Sequence, residues 1–319
     1  MIKFIAKRLA ISALLLFIVT TLVFAFVHMM PGDPVLTMLG VDSNPDPVTV
    51  EKIRTELGLD QPILVQYANY LKGIIHLDLG KSYSEKIPVV QAIASRFPRT
   101  LELAFVSLVL ACLFGIPFGI IAAVRRGKFS DLALTTMASV GTSVPVYVMG
   151  YLLVVIFALN IFNLPIAKLP ASGFTAFSKN PDLHIQKIIL PAITLALGVA
   201  ASIMRTTRSS MLDAMAAESV RPLRAKGLSN GKVIRKHVIR NAMIPVITII
   251  GLQLGNLIGG TVLCETVFNW PGVASLLVKA INHRDYPLIQ GCVLLISVVY
   301  IFTNMIVDII YGILDPRVR

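Results

Sequence analysis

Apolar residues come in long unbroken runs along this chain, and polar residues collect in the segments between them. The first run, LAISALLLFIVTTLVFAFVHMM, starts at Leu9 and is long enough, at about twenty residues, to cross a hydrocarbon core. It is longer than the core of a signal peptide and shows no convincing small-residue cleavage site, so it reads as a retained span. Five further runs are Leu101–Val124, Leu132–Leu159, Ile188 to about Arg205, Ala242 to about Glu265, and Cys292–Leu314. The pattern predicts six spanning helices and an all-α polytopic membrane protein.

Between Pro31 and Pro98 the pattern becomes that of water-exposed helices with clear punctuation. Asp46 and Pro47 read as an N-cap followed by a first-turn proline, and Gly58 reads as the stop. A second helix is expected from Pro62 to about Gly73, and a third from Pro88 to about Phe97. The expected organisation is a cytoplasmic end and first span over 1–30, and a small helical extracytoplasmic subdomain over 31–99. A five-helix core then covers 100–319 and contains a cytoplasmic loop over 209–241. The subdomain is too small to hold a large core alone, so it should pack on the membrane part. Two outer-side loops are expected, Asn160–Lys187 and Phe268–Gln290; in the second, Trp270, Pro271, Leu276, Leu277 and Val278 predict a short interfacial helix.

Composition agrees with the pattern: 55% of the 319 residues are hydrophobic, 14% are charged, and mean hydropathy is +0.78. The net charge of +12 could indicate nucleic acid, but the basic residues cluster at the ends of apolar runs, where the positive-inside bias accounts for them. Arg125, Arg126 and Lys128, the basic residues from Arg205 to Arg240, and Arg317 and Arg319 all fall on the side of Lys3, Lys7 and Arg8. Both termini are therefore expected in the cytoplasm. Cys112, Cys264 and Cys292 lie in apolar runs without metal-ligand or disulfide spacing, and the five histidines form no HExxH pair. No metal site is expected. No GxSxG stretch pairs a nucleophile with a base, and no GxxxxGK[ST] stretch is present to cradle ATP phosphates. A non-catalytic chain is expected, with any ATP energy supplied by another polypeptide.

The segment Ala216–Pro245 is strongly basic and punctuated. Arg205 to Val220 can continue the fourth span into the cytoplasm, and Pro222 predicts a break near Arg221, because proline lacks the N–H and clashes with the carbonyl four residues back. A short helix from Pro222 to Lys226 would end at a left-handed Gly227, and Ser229 or Asn230 would cap the next helix. Such a short helix, held out between two long ones, suits insertion into a groove on a partner. Polar groups inside spans mark either a pathway or contacts between helices: Thr142 and Ser143 beside Pro145, Gln253 and Asn256, and Asn304 and Asp308.

Within this segment, RPLRAKGLSNGKVIRKHVIRNAMIPVIT resembles the EAA loop of ATP-binding-cassette importer permeases of the dipeptide and oligopeptide family, whose pattern is close to RTxRAKGLS followed by HxxRNAxxPVxT. PGDP, ELGLDQP, DLGKSYS, TRSSM, ETVFNWPG and RDYPLIQG also resemble, in order, the first of that family's two permease subunits, so the likeness covers nearly the whole chain. The resemblance implies a type I importer permease in a prokaryotic plasma (inner) membrane. Its partners would be a second homologous permease, two ATPase subunits that hold ATP and Mg, and an extracytoplasmic substrate-binding protein. It assigns Arg221, Pro222, Arg224, Ala225, Lys226 and Gly227 to the helix that docks into an ATPase, with Glu218 at its approach. Pro222 replaces the family's usual threonine. Thr142, Ser143, Gln253, Asn256, Asn304 and Asp308 are the candidates for the translocation path, and Trp270, Arg284 and Asp285 for binding-protein docking. Di- or oligopeptide is the expected cargo, with glutathione, nickel or a metal chelate as alternatives. An ATP-independent channel or a membrane scaffold is the alternative of another class.

Overall fold

Each apolar run folds as helix, and most of the helices outlast the runs that predict them. The computed structural model describes residues 2–29, 34–39, 46–56, 58–159, 161, 168–218, 220–225 and 227–314. Pro31 to Asp33 of the PGDP stretch, Lys226, Arg317 and Arg319 lie outside the described residues. In chain order the helices are α1 (Ile2–Met29), α2 (Pro34–Leu39), α3 (Pro47–Glu56), α4 (Ile63–Ile75), α5 (Val89–Ala94), α6 (Phe97–Val124) and α7 (Phe129–Ser143). They continue with α8 (Val146–Leu153), α9 (Pro181–Ala216), α10 (Val220–Ala225), α11 (Asn230–Val233), α12 (Ile239–Val267), α13 (Val273–Asn282) and α14 (Tyr286–Leu314). Single π-turns extend α8 over Val154–Ala158 and join α11 to α12 over Ile234–Val238.

Five of these helical stretches are long and apolar enough to cross a membrane, and a sixth span results if α7 and α8, which meet at a 107° bend, count as one. The bend falls where the sequence interrupts the third run: Ser143 ends α7, Val144 is extended, and Pro145 opens α8. The fourth span differs most from expectation. It runs from Pro181 rather than Ile188, because Asn180 caps it by accepting the Leu183 N–H at 3.0 Å and proline occupies its first position. The loop before it is correspondingly shorter than the expected Asn160–Lys187.

The described chain divides into two compact units. One contains Leu101–Trp270 and the chain from Phe302, and the other contains Ala6–Thr100 and Pro271–Ile301. The first is organised around α9. Its apolar stretch is 61% buried, against 17% for those of α1 and α14, which makes α9 the central helix. Helix α6 approaches it through Gly115 and Gly119, four residues apart; a Cβ at Gly119 would lie 2.7 Å from the Met204 carbonyl oxygen, so only hydrogen fits there.

The second unit explains why residues 31–99 need other elements. Helices α3 and α4 bury no residue fully. The core of the unit is instead supplied by Val27 of α1, Val89 and Ile93 of α5, Val273, Leu276 and Ala280 of α13, and Leu288, Ile289 and Cys292 of α14. Helix α4 is tied to α1 by polar contacts: the Tyr67 and Thr21 hydroxyls lie 2.6 Å apart, and His28 Nε2 lies 3.1 Å from Gln66 Oε1.

Candidate functional site

Three places carry the candidate chemistry, the loop between α9 and α12 first among them. Helix α9 ends at Ala216, and Ala217 leaves helical geometry with φ −58° and ψ 141°. The break thus falls four to five residues before the position near Arg221 that the sequence indicated. Continued as helix, the ring of Pro222 would crowd the carbonyl of Glu218, four residues back, and the turn at Ala217 and Glu218 removes that crowding. Glu218 lies exposed in the turn itself. Pro222 then sits third in α10, among the first-turn positions whose N–H groups have no partner within the helix, and its missing donor costs nothing there.

Helix α10 is held from behind. Buried Val220 and half-buried Leu223 join Ala123, Met211, Val233, Val238 and Ala242 in one apolar cluster, while Pro222 and Ala225 are exposed. Arg221 and Arg224 lie in the same six-residue helix. Its end is a Schellman closure: Gly227 has φ +80°, and the Leu228 N–H bonds the Leu223 carbonyl at 3.3 Å. Ser229 is the N-cap residue of α11 by its backbone, with the Val233 N–H on its carbonyl at 3.1 Å, but its side chain makes no capping bond.

The second place is a cavity of about 310 Å³ at the α7–α8 bend, between α9 and α12. It brings together two expected path residues, Thr142 and Gln253, and adds Ser202 and Arg205. Arg205 Nη1 donates to Thr142 Oγ1 at 2.9 Å. Asn256 donates to Gln253 Oε1 at 3.3 Å, consistent with the shared face that their spacing predicts, but is not part of the lining. Ser143 bonds back to the Ser139 carbonyl at 2.8 Å and also stays out of the lining. Asn304 and Asp308 sit a turn apart on α14, both half-buried, and do not line it either.

One turn beyond Arg205, Arg208 grips Asp131 of α7 with two bonds, Nε to Oδ1 at 2.7 Å and Nη2 to Oδ2 at 2.9 Å, and the Gly127 N–H adds a third donor at 3.0 Å. Sequence reasoning assigned Arg208 to the general basic bias and passed over Asp131. The signal was available: a lone carboxylate at the start of an apolar run is costly unless a cation meets it.

The third place is the corner between α13 and α14. Asp285 is fully buried, and its Oδ2 accepts the Ser82 hydroxyl at 2.6 Å, the Ser84 hydroxyl at 2.7 Å and the Ser84 N–H at 2.9 Å. Oδ1 takes the Leu288 N–H at 3.3 Å, so the same side chain caps α14. Burial, and then the charge of Asp285, push the hydroxyl of neighbouring Tyr83 well above its ordinary range. Trp270 is equally buried, edge-on to Phe174 with ring centroids 5.0 Å apart and close to His184. His184 Nε2 in turn lies 2.9 Å from Glu102 Oε1. Of the three residues expected to dock the binding protein, Trp270 and Asp285 are buried, each within its own unit, and Arg284 is half-exposed in a left-handed turn at φ +50°.

Comparison with known proteins gives a consistent result. The family described as binding-protein-dependent transport system inner membrane component matches residues 115–319, and its companion, the N-terminal membrane component, matches residues 1–104. The dipeptide transport system permease protein of Escherichia coli K12 is 40% identical over 337 aligned residues, covering 100% of this chain and 99% of the relative. The glutathione transport system permease protein of the same strain is 42% identical over 319 residues with the same coverage. Among solved structures, the methionine ABC transporter in an inward facing conformation has a similar fold, with a TM-score of 0.55 at 16% identity, covering 70% of this chain and 97% of that one.

Proposed function

The chain belongs to the family of binding-protein-dependent transport system inner membrane components, and on that premise we propose that it forms half of the translocation path of an ATP-driven importer for di- or oligopeptides. It is a multi-pass inner membrane protein. Its partners are a second homologous permease, two ATPase subunits carrying ATP and Mg, and an extracytoplasmic binding protein that delivers the cargo. Both termini face the cytoplasm, together with α10 and the loop that carries it.

The observation that carries the reading is α10: six residues, isolated between two long helices, backed by Val220 and Leu223 and closed by Gly227, in a chain related over its whole length to permeases. With Pro222 and Ala225 exposed, the helix can enter a groove on an ATPase while its apolar side stays anchored to α9 and the start of α12. ATP binding draws the two ATPases together, and a helix clamped to the ends of α9 and α12 transmits that movement to the spans as a rigid-body shift between two states. Glutathione is the second cargo to consider, because the glutathione permease is similar to this chain to the same degree as the dipeptide permease.

The test is a photo-crosslinker placed at exposed Ala225 in the assembled transporter. Capture of the ATPase subunit, released or altered when ATP is added, is the expected outcome. An ATPase that is present and active in the same complex but never captured from Ala225 overturns the docking.

A further inference from the structure

Among the described residues, the cation in the cavity at the α7–α8 bend meets no anion. Among the described residues Arg205 forms no ion pair; its described hydrogen bond is the single one to Thr142, although a guanidinium carries five donors. The acidic group one turn away cannot serve it, because both oxygens of Asp131 are engaged by Arg208 and Gly127. Arg205 stands where the apolar run of α9 ends, 11 residues before the end of the helix at Ala216. There it lines the recess beside the apolar Val144, Val146, Met149 and Leu197, with guanidinium donors left for an anion.

We propose that Arg205 recognises a carboxylate on the transported molecule, the terminal carboxylate of a peptide, as it passes the α7–α8 bend. The proposal rests on the importer reading above and names the chemistry of its path. A planar guanidinium fits a carboxylate with two parallel bonds, which neutral groups cannot replace. Ser202 and Gln253 in the same lining offer neutral hydrogen-bonding groups of the kind a peptide amide requires, and about 310 Å³ is within the range of small-molecule sites. Thr142 holds Arg205 against the bend until the cargo arrives.

The experiment is equilibrium dialysis of a dipeptide and of its C-terminal amide against the purified permease–ATPase complex without binding protein. Wild type should hold the free acid about tenfold more tightly than the amide, the size of one charge-assisted hydrogen bond. Arg205→Gln should remove the difference by weakening the acid alone, and Arg205→Lys should keep part of it. Equal binding of acid and amide to wild type, or no binding of either, overturns the proposal even if Arg205→Gln fails to assemble. So does a preference that survives Arg205→Gln, including the case where that variant only loses co-purified anionic phospholipid. Binding-protein-dependent uptake by wild-type vesicles, measured alongside, separates the two readings: uptake without acid preference sinks this inference alone, and absent uptake sinks the importer.

Discussion

Single positions decide whether the loop between α9 and α12 and its supports hold. Gly227 adopts φ +80°, a conformation that costs an L-residue about 1–2 kcal/mol, and nothing crowds its missing side chain. Gly227→Ala should therefore slow uptake modestly. Gly227→Pro, whose ring forces φ near −65°, should abolish ATP-coupled uptake while membrane insertion, read by protease protection, stays intact. Arg208→Ala should lower the thermal stability of the solubilised complex by about 1.5–3 kcal/mol, because it leaves the buried Asp131 without its two-pronged partner. Asp285→Ala strands the Ser82 and Ser84 donors and uncaps α14, and a loss of about 1–3 kcal/mol is expected in the same assay. What could be read at this scale was backbone chemistry. Gly227, Gly58 at φ +67° and the Asp46–Pro47 helix start behave as their residue types dictate. Long-range pairs could not be read: 77 positions separate Asp131 from Arg208 and 203 separate Ser82 from Asp285, and no local pattern encodes such a meeting.

Among the elements, hydropathy located the spans well and their ends poorly. Helix α9 is 36 residues long, well beyond the length of its apolar run, because caps and prolines rather than lipid thickness set its limits. The break in the loop between α9 and α12 falls at Ala217 rather than near Arg221, where it relieves the crowding of Pro222 against the residue four positions before it. The contact between α6 and α9 was legible only as two glycines four apart, a weak signal until Gly119 is seen against Met204. Gly119→Leu should force these helices apart and lower thermal stability by about 1–3 kcal/mol, with Gly119→Ala milder; a variant as stable as wild type would mean the two helices are not held in this close approach.

For the whole molecule, the proposed function joins the recess at the α7–α8 bend and the short helix α10 within one chain of an importer family. The part least legible in sequence was which polar residues meet in one recess. Of the six polar positions that hydropathy offered, Thr142 and Gln253 line the recess at the α7–α8 bend, joined by Arg205, which charge bias had assigned to the cytoplasmic surface. A polar residue in a span meets a neighbouring helix as readily as a pathway, and only packing separates the two cases. The central claim is tested most directly by peptide accumulation in sealed vesicles carrying this chain with its partner permease, ATPases and binding protein. The account predicts accumulation above the external concentration with ATP inside, none without ATP, and none with Gly227→Pro; accumulation or equilibration that proceeds equally without ATP would contradict it.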